Sequence, residues 1–365
     1  MIFTPDTARA WVDVDLGALA ANARTLAGLT GTRLLPMVKA NGYGLGAVAV
    51  ARALEPLEPW GYGVASTDEG AALRRAGISR PILAVSPLLP AAIDMHLADD
   101  IRPTIGDPAT LDLWCRRTDR PFHVEIDTGM GRAGICWHDG AALIAAAALL
   151  HEAPGWEGIF THFHSADADP GSATTQWDRL QGVLTALPRR PPLVHAANSA
   201  GALQGGRFAA DLIRPGIFLY GGGAGHAIVP VPVAALRARV LAVRQVRARD
   251  TVSYGATWRA PGPTTIATVG MGYADGFPRS TREDAPPVPA RRIELNGRLA
   301  QVVGRVTMDM TMIDVGEGQA SPGDVATVYG GRVSLDQQAA AAGTIAYEML
   351  TGLGARVPRR YGDRS

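Results

Sequence analysis

Lys39 lies between the apolar run Leu34–Val38 and the glycine-rich segment Ala40-Asn41-Gly42-Tyr43-Gly44. A lysine in such a position is expected to be partly desolvated, which lowers its pKa and favours imine chemistry. Lysines of this kind often carry pyridoxal phosphate. A lysine that merely caps a strand and points into solvent has the same local pattern, so Lys39 alone leaves both interpretations open.

Other polar side chains follow short apolar runs in the same way. They are Asp127, Arg132, His162, Asn198, Ser199 and Arg214. Loops are polar in any protein, which accounts for some of these residues but not for their chemical types. If the apolar runs are parallel strands of one barrel, their carboxyl ends meet at one mouth, where such barrels build their active sites.

The apolar runs alternate with alanine-rich helical stretches between about residues 30 and 230. The runs are 34–38, 60–65, 82–86, 101–105, 122–126, 159–163, 193–197 and 213–220. Eight strand-then-helix units in sequence predict an α/β fold with an N-terminal (β/α)8 barrel over residues 1–230. Helix-start signals agree, because Ser66 and Glu69 have the spacing of a capping box.

After about residue 231 the pattern changes to alternating strands and tight turns. Predicted strands cover 237–243, 264–271 and parts of 292–314, where Asn296-Gly297 is a strong two-residue hairpin signal. Ser334 is predicted to open one further helix. Residues 231–365 are therefore predicted to form a separate, mainly β domain.

The bulk composition excludes several classes of function. The 365 residues are 47% hydrophobic and 19% charged, with a net charge of +1, which gives no field for nucleic acid or an anionic membrane. Cys115 and Cys136 cannot form a disulfide framework, and no Cys/His cluster has metal-ligand spacing. The longest apolar run, 141–150, is too short to span a bilayer. We expect a cytoplasmic protein with a small neutral or zwitterionic substrate and no metal.

The segment Val38-Lys39-Ala40-Asn41-Gly42-Tyr43-Gly44 resembles the cofactor-lysine motif of the alanine racemases, and the resemblance recurs along essentially the whole chain. It implies that pyridoxal phosphate is bound on Lys39. Racemisation removes an α-proton from one face of an amino acid and returns one on the other, so two bases are needed. The resemblance supplies Lys39 for one face and Tyr254 for the other.

Tyrosine titrates near pH 10, so Tyr254 needs help to act as a base near neutrality. In the family a histidine and an arginine provide it, matched here by His162 and Arg214. The arginine also hydrogen-bonds the pyridine nitrogen of the cofactor, which stays unprotonated because guanidinium does not release its proton. Taken alone, a histidine in Thr161-His162-Phe163 favours a hydrogen-bonded core position over a functional one.

The resemblance also assigns binding residues. The phosphate cup of the family is matched by Tyr43, Asn198, Ser199, Gly216, Ile217 and Tyr347. Arg132 matches the arginine that faces the cofactor oxygen and the substrate carboxylate, where a bidentate guanidinium is suited to its partner. Met308 and Asp309 match the substrate-side loop. Positions that line the entry passage in the family are matched by Asp167, Tyr273, Arg279, Arg305 and Ile345.

Glu125 departs from the family, in which several members carry a carboxylated lysine at this position. Residues 123, 125 and 127 share one strand face, which places Glu125 on the side of Asp127. Our hypothesis is that Glu125 itself supplies the negative charge beside Arg132. Its shorter side chain makes the position of Arg132 uncertain.

The resemblance implies a homodimer with shared sites, in which the β domain of one chain covers the barrel mouth of its partner. The activity it implies is the interconversion of L- and D-alanine, which supplies D-alanine for peptidoglycan. A basic amino acid decarboxylase is an alternative on a similar architecture, but Arg214 and Tyr254 stand where those enzymes use an acid and a cysteine. A non-catalytic pyridoxal phosphate carrier would not need residues 231–365. A racemase of broad specificity remains open.

Overall fold

The computed structural model describes residues 7–279 and 290–362. The first part of the chain forms a parallel sheet. Its strands and the one that precedes them are β1 (Ala10–Asp15), β2 (Arg33–Leu34), β3 (Tyr62–Val64), β4 (Ile82–Pro87), β5 (Arg102–Ile105), β6 (Phe122–Asp127), β7 (Ile135–Cys136), β8 (Trp156–Phe160), β9 (Leu193–His195) and β10 (Leu212–Ile213). The helical segments between them are α1 (Leu16–Thr30), α2 (Lys39–Tyr43), α3 (Ala47–Leu54), α4 (Thr67–Arg75), α5 (Ile93–Ala98), α6 (Pro108–Arg117), α7 (Gly140–Glu152), α8 (Pro170–Ala186) and α9 (Ser199–Leu203).

The strand order is β2-β10-β9-β8-β6-β5-β4-β3, and each neighbouring pair is parallel. Met37, just after β2, forms a parallel bridge with Gly63 in β3, which joins the two ends of the sheet. The Val38 N–H donates to the Gly63 carbonyl at 2.8 Å, and the Gly63 N–H donates to the Pro36 carbonyl at 2.9 Å. The predicted TIM-like α/β barrel is confirmed.

Helices begin where the sequence supplies an acceptor for their free N–H groups. Asp107, Asp139 and Asp169 cap α6, α7 and α8 with their side chains. Ser66 caps α4 through the Glu69 N–H, but the Glu69 carboxylate does not complete a capping box there. It accepts instead from the N–H groups of Ala65 and Ala40, at 2.7 and 2.6 Å. Glu69 therefore joins α4 to the segment that carries Lys39.

Several predicted runs differ in extent from the observed strands. Of the run 34–38, for example, only Leu34 lies in a strand, β2. Strand β8 begins at Trp156, three residues before the predicted run at Ile159, and ends at Phe160. The run 213–220 is a strand only to Ile213, because Pro215 has no N–H for a sheet and the next residues form tight turns. The Leu219 and Tyr220 N–H groups donate to the carbonyls of Gly216 and Ile217 in these turns.

The second half of the described chain is mainly β. Its elements are β11 (Ala234–Val246), β12 (Thr251–Val252), β13 (Trp258–Arg259), β14 (Thr264–Val269), β15 (Arg292–Leu295), β16 (Arg298–Val302), β17 (Thr311–Gly316), β18 (Val325–Tyr329), α10 (Leu335–Ala341), α11 (Ala346–Thr351) and β19 (Arg359–Gly362). The predicted Asn296-Gly297 turn joins β15 to β16, with both residues at positive φ. The predicted helix start at Ser334 is confirmed with its capping box.

Strand β11 organises this β domain. Its first half pairs with β18 and its second half with β14, which closes an antiparallel ring in the order β14-β17-β16-β15-β18-β11. The N-terminal strand β1 also pairs with β11, on its other side from β18, and with β19. Strand β1 therefore belongs to the second sheet, and its last residue, Asp15, caps the first helix of the barrel. No helix in the described ranges is long and apolar enough to cross a membrane.

Substitution of Gly44 tests the close packing between the mouth of the barrel and α11. Gly44 has φ +80°, and a Cβ there would lie 2.2 Å from the Leu350 carbonyl oxygen in α11. Gly31 is a matched control, since it has φ +63° but no atom within 4 Å of an added Cβ. We expect Gly31→Ala to lower the free energy of unfolding by about 1–2 kcal/mol, the left-handed backbone cost, and Gly44→Ala to lower it by roughly 1–3 kcal/mol more through overpacking. Urea denaturation of the two variants checks this, and equal losses would contradict the packing argument.

Candidate active site

A cavity of about 310 Å³ opens at the carboxyl ends of the barrel strands. Predicted site residues that line it are Lys39, Tyr43, Arg132, His162, Asn198, Ser199, Arg214, Gly216 and Tyr347. Tyr347 comes from α11 of the β domain, and the others come from the segments that follow barrel strands. Most of the residues that the sequence singled out thus lie around one cavity, although they are spread along the chain from Lys39 to Tyr347.

Lys39 opens a left-handed turn. Ala40, Asn41 and Gly42 have φ from +51° to +63° and ψ near +48°, and Tyr43 also has positive φ. Left-handed backbone at non-glycine residues is unfavourable, so the turn needs support. Glu69 accepts from the Ala40 N–H at 2.6 Å, and the Asn41 side chain accepts from the Ala47 N–H at 3.1 Å. The backbone next to Lys39 is therefore held from both sides.

The surroundings of Lys39 favour a neutral amine. Burial lowers its pKa, and the positive charges of Arg132 and Arg214 lower it further, while Glu69 acts in the opposite direction. A lowered lysine pKa increases the fraction of the nucleophilic form at a given pH. The site thus meets the first requirement for imine chemistry.

Arg214 lies at the floor of the cavity and is 4% exposed. One terminal nitrogen donates to His195 Nδ1 and to the His195 carbonyl, both at 2.9 Å. The other donates to the carbonyls of Thr161 and Ala196, at 2.7 and 3.2 Å, and lies 3.4 Å from His162 Nδ1. Burial lowers the pKa of Arg214 to about 10, so the guanidinium still carries its charge at neutral pH. Of the Arg214 donors, Nε–H is the one that forms no hydrogen bond to the described residues.

His162 is neutral near pH 7 in this environment. Burial lowers its pKa to about 3, with further lowering by the charges of Arg214, Arg132 and Lys39. The nearby Arg214 N–H can only donate, so Nδ1 of His162 is the acceptor and its proton resides on Nε2. His162 can therefore donate a hydrogen bond from Nε2 without adding charge.

Ser199, Gly216 and Tyr43 form a small polar cradle. The Ser199 hydroxyl accepts from the N–H groups of Gly216 and Phe218, at 2.9 and 3.3 Å, and Asn198 caps the following helix. A Cβ on Gly216 would lie 2.2 Å from the Tyr43 hydroxyl, so only glycine permits this approach. Tyr43 stacks on Tyr220 at 4.5 Å. Ile217 is fully buried next to the cradle.

Glu125 also lines the cavity and is 4% exposed. Its Oε2 atom is buried without a hydrogen-bond partner, and burial raises the pKa of the carboxyl against the opposing charges of Arg132 and Arg214. Glu125 and Arg132 interact through charge but form no direct ion pair. Asp127 holds the loop that leads to Arg132, because its carboxylate accepts from the N–H groups of Gly129 and Gly131.

The remaining predicted residues are not brought to this cavity within one chain. Tyr254 is 69% exposed and lines a separate cleft of about 770 Å³ on the β domain. Met308 and Tyr273 are 52% and 40% exposed. Asp309 is held near them by Arg356, whose guanidinium also contacts the buried Asp275. Of the predicted passage residues, Asp167, Arg279, Arg305 and Ile345 likewise do not line the cavity.

Sequence reasoning missed three residues of the site. His195 contacts Arg214 directly, Phe160 lies under its guanidinium at 4.9 Å, and Glu69 holds the Lys39 turn. A polar residue in the otherwise apolar run Leu193–Ala197 was a usable signal for His195. Glu69 matched a local capping pattern, which concealed its long-range contact. In the described part of the chain, no group of three His, Cys, Asp or Glu residues is arranged to hold a metal ion.

Comparison with known proteins finds matches over nearly the whole chain. The family model described as "Alanine racemase, N-terminal domain" matches residues 14–224, and "Alanine racemase, C-terminal domain" matches residues 233–361. The alanine racemase of Deinococcus radiodurans is 38% identical over 362 residues, which cover 97% of this chain and 99% of the relative.

Solved structures give the same result. The biosynthetic alanine racemase of Pseudomonas aeruginosa has a TM-score of 0.88 at 32% identity, covering 98% of this chain and 100% of that one. The alanine racemase of Bartonella henselae with covalently bound pyridoxal phosphate has a TM-score of 0.89 at 30% identity, covering 97% and 100%. Both domain models and these relatives show that the chain is an isomerase and belongs to the alanine racemase family.

Proposed function

We propose that this chain interconverts L- and D-alanine with pyridoxal phosphate, using Lys39 and Tyr254 as the two bases. The observation that carries the proposal is the arrangement of Lys39 above Arg214 in one cavity. A lysine with a lowered pKa stands on a braced turn, and a buried guanidinium at the floor retains one unassigned donor, Nε–H. A planar cofactor with an aldehyde at one end and a ring nitrogen at the other suits these two groups.

The residues present fit the cofactor at its phosphate end as well. The Tyr43 hydroxyl, the Ser199 hydroxyl and the backbone around Gly216 form a cradle that a Cβ on Gly216 would fill. Glycine and hydroxyl groups at such a position suit an anion. When bound, pyridoxal phosphate stabilises the negative charge left when an α-proton is removed from the substrate. Lys39 would hold the cofactor, and Arg214 would donate to its ring nitrogen without protonating it.

Tyr254 must reach the cavity from another chain in this proposal. It is 69% exposed in its own chain and lies outside the cavity that contains Lys39, so a second copy with its β domain over the barrel mouth would supply it. The neutral His162, with its Nε2–H free to donate, and Arg214 behind it would stabilise a phenolate at that position. These two observations support a homodimer with shared sites.

Arg132, Met308, Asp309 and Tyr273 are assigned to the substrate. Arg132 carries the positive charge that a carboxylate requires, and the small cavity of about 310 Å³ must also hold the cofactor, which favours a short side chain such as a methyl group. The exposed loop with Met308 and Asp309 would close the site of the partner. The protein would act in the cytoplasm, and its product D-alanine would supply the synthesis of wall peptidoglycan.

Lys39 is tested by chemical trapping. Borohydride reduction of the pyridoxal-phosphate-loaded protein is expected to fix the cofactor to Lys39, which is the only lysine of the sequence and lines the cavity. Peptide mass spectrometry locates the label, and Lys39→Ala should lose both label and racemisation. Chiral chromatography of products from L-alanine and a panel of L-amino acids measures activity and breadth. A label on the N-terminal amine instead of Lys39, no reducible label at all, or release of carbon dioxide would contradict the proposal.

Tyr254 is tested by mixing two inactive variants. Lys39→Ala and Tyr254→Phe should each lose most activity, because each removes one of the two bases. If the site is shared, refolding an equal mixture should restore roughly a quarter of wild-type activity, since half of the dimers are mixed and each mixed dimer has one complete site. Failure of complementation, with mixed dimers demonstrated by differential tags, would show that both bases come from one chain.

Glu125 is tested by Glu125→Gln, which keeps the shape and removes the charge. If the carboxylate balances Arg132, the variant should raise the KM for alanine about three- to tenfold, corresponding to about 1 kcal/mol of lost ground-state interaction. Asp127→Asn serves as a comparison, because Asp127 acts on the Arg132 loop through backbone contacts. Unchanged affinity and turnover in Glu125→Gln would remove Glu125 from the site.

A further inference from the structure

A line of hydrogen-bonded side chains runs from the mouth of the barrel to its opposite rim. Arg214, after β10, contacts His195 Nδ1 at 2.9 Å, and His195 Nε2 lies 2.8 Å from His123 Nδ1. His123 Nε2 lies 3.2 Å from Glu157 Oε2, which also accepts from Arg102 Nε at 2.6 Å. His123, Glu157 and Arg102 stand at or next to the first residues of β6, β8 and β5, at the rim away from the cavity.

The two ends of this line have fixed hydrogen-bonding roles, because Arg214 can only donate and the Glu157 carboxylate can only accept. Arg214 has N–H donors and no acceptor, so His195 Nδ1 must be unprotonated. The carboxylate of Glu157 has only acceptors. Burial opposes its ionisation, but hydrogen bonds from His123 and Arg102 outweigh this and lower the pKa of Glu157. A proton is therefore required on His123 Nε2.

The tautomers of His195 and His123, in the middle of the line, follow from the roles of its two ends. A neutral His195 without a proton on Nδ1 must carry it on Nε2, which then donates to His123 Nδ1. Both histidines are fully buried, and burial together with the charge of Arg214 lowers the pKa values of His195 and His123, so both are neutral. Every hydrogen bond in the line then points the same way, from Arg214 to Glu157.

Packing holds the two rings in the planes that this line needs. Phe160 stacks on His195 at 4.9 Å with an interplanar angle of 15°, and Trp60 tilts against His123 at 5.5 Å. Gly158 makes room for the His123 ring, because a Cβ there would lie 2.5 Å from His123 Nδ1. A glycine, two aromatic rings and a rim carboxylate thus all act on the same pair of histidines.

We propose that Glu157, His123 and His195 are positioning residues that set the hydrogen-bond direction at Arg214 and so fix its guanidinium in the cavity. One terminal nitrogen is committed to His195, and the other is committed to backbone carbonyls of the adjoining strand ends. The guanidinium plane is then determined, which leaves Nε–H as the group available to a ligand. The effect on catalysis rests on the function proposed for Arg214. The tautomers of His195 and His123 do not depend on that function.

The tautomers can be observed directly in the loaded enzyme. Two-bond ¹H–¹⁵N spectra of ¹⁵N-histidine-labelled protein separate protonated from unprotonated ring nitrogens, and the chain has eight histidines to assign. We expect two exchange-protected neutral rings protonated on Nε2, which disappear singly in His123→Gln and His195→Gln. A neutron structure gives the same information if these variants do not fold. A proton on Nδ1 of either ring, or a doubly protonated ring, overturns the proposal.

The positioning role is tested with Glu157→Ala and a matched control. Glu55→Ala removes another half-buried arginine pair, Arg80–Glu55 at 2.9 Å, which has no link to Arg214. Both variants should lose similar thermal stability. Only Glu157→Ala should mix the His123 tautomers, shift the visible absorbance of the bound cofactor and lower kcat on the order of tenfold, as when partners that orient metal-bound histidines are removed.

Glu157→Gln should rescue these changes, because its amide oxygen still accepts from His123 Nε2. If Glu157→Ala matches Glu55→Ala in tautomers, absorbance and kcat, the residue is only structural and the proposal fails. A protein with the expected tautomers but no racemase activity would instead contradict the proposed function and leave the hydrogen-bond line intact. The two failures are therefore distinguishable.

Discussion

Placing a guanidinium in the interior of the barrel is the constraint on which the site depends. Taking a charged group out of water is costly unless its donors are satisfied. Arg214 meets this condition with carbonyls at the ends of neighbouring strands, from Thr161, His195 and Ala196, and with the ring of His195. The carboxyl ends of parallel strands present such carbonyls together, so the barrel itself supplies the acceptors. A charge held this way is fixed in place before any ligand arrives, which is the condition for electrostatic stabilisation without reorganisation.

The two halves of the chain are joined more closely than their sequence order suggests. Strand β1 pairs with β11 and β19, and its last residue, Asp15, caps the first helix of the barrel. At the other end, α11 packs on the Lys39 turn, where Gly44 meets Leu350, and brings Tyr347 to the cavity. One chain thus supplies all of the cavity lining around Tyr43, Ser199 and Gly216. The residues that remain outside it, Tyr254 above all, belong to the exposed face of the β domain.

Much of the fold could be predicted because its signals are local. Alternating apolar runs and helix caps indicate a barrel, and Asn296-Gly297 indicates a hairpin whether or not distant residues are known. The pairing of β1 with β11 could not be predicted, since a six-residue strand carries no record of its partner. The run 213–220 was wrongly extended because apolar residues that pack around Gly216 in tight turns have the composition of a buried strand. For the site, residue type and motif identified Lys39 and Arg214, but the contact of Glu69 with Ala40 depends on tertiary structure alone.

The positive charge at the cavity affects both ligand binding and the protonation of its side chains. Among the described residues, Lys39, Arg132 and Arg214 line the cavity together with a single carboxylate, that of Glu125, so the cavity favours anionic groups such as a phosphate and a carboxylate. Burial lowers the pKa values of Lys39 and His162, and the neighbouring positive charges lower them further, which makes both neutral forms more accessible. The positive charges therefore favour anion binding and also contribute to the neutrality of these two side chains. Arg214 alone must keep its proton, and a line of neutral histidines that ends on a carboxylate stabilises that charge across the full height of the barrel without bringing a competing anion to the mouth.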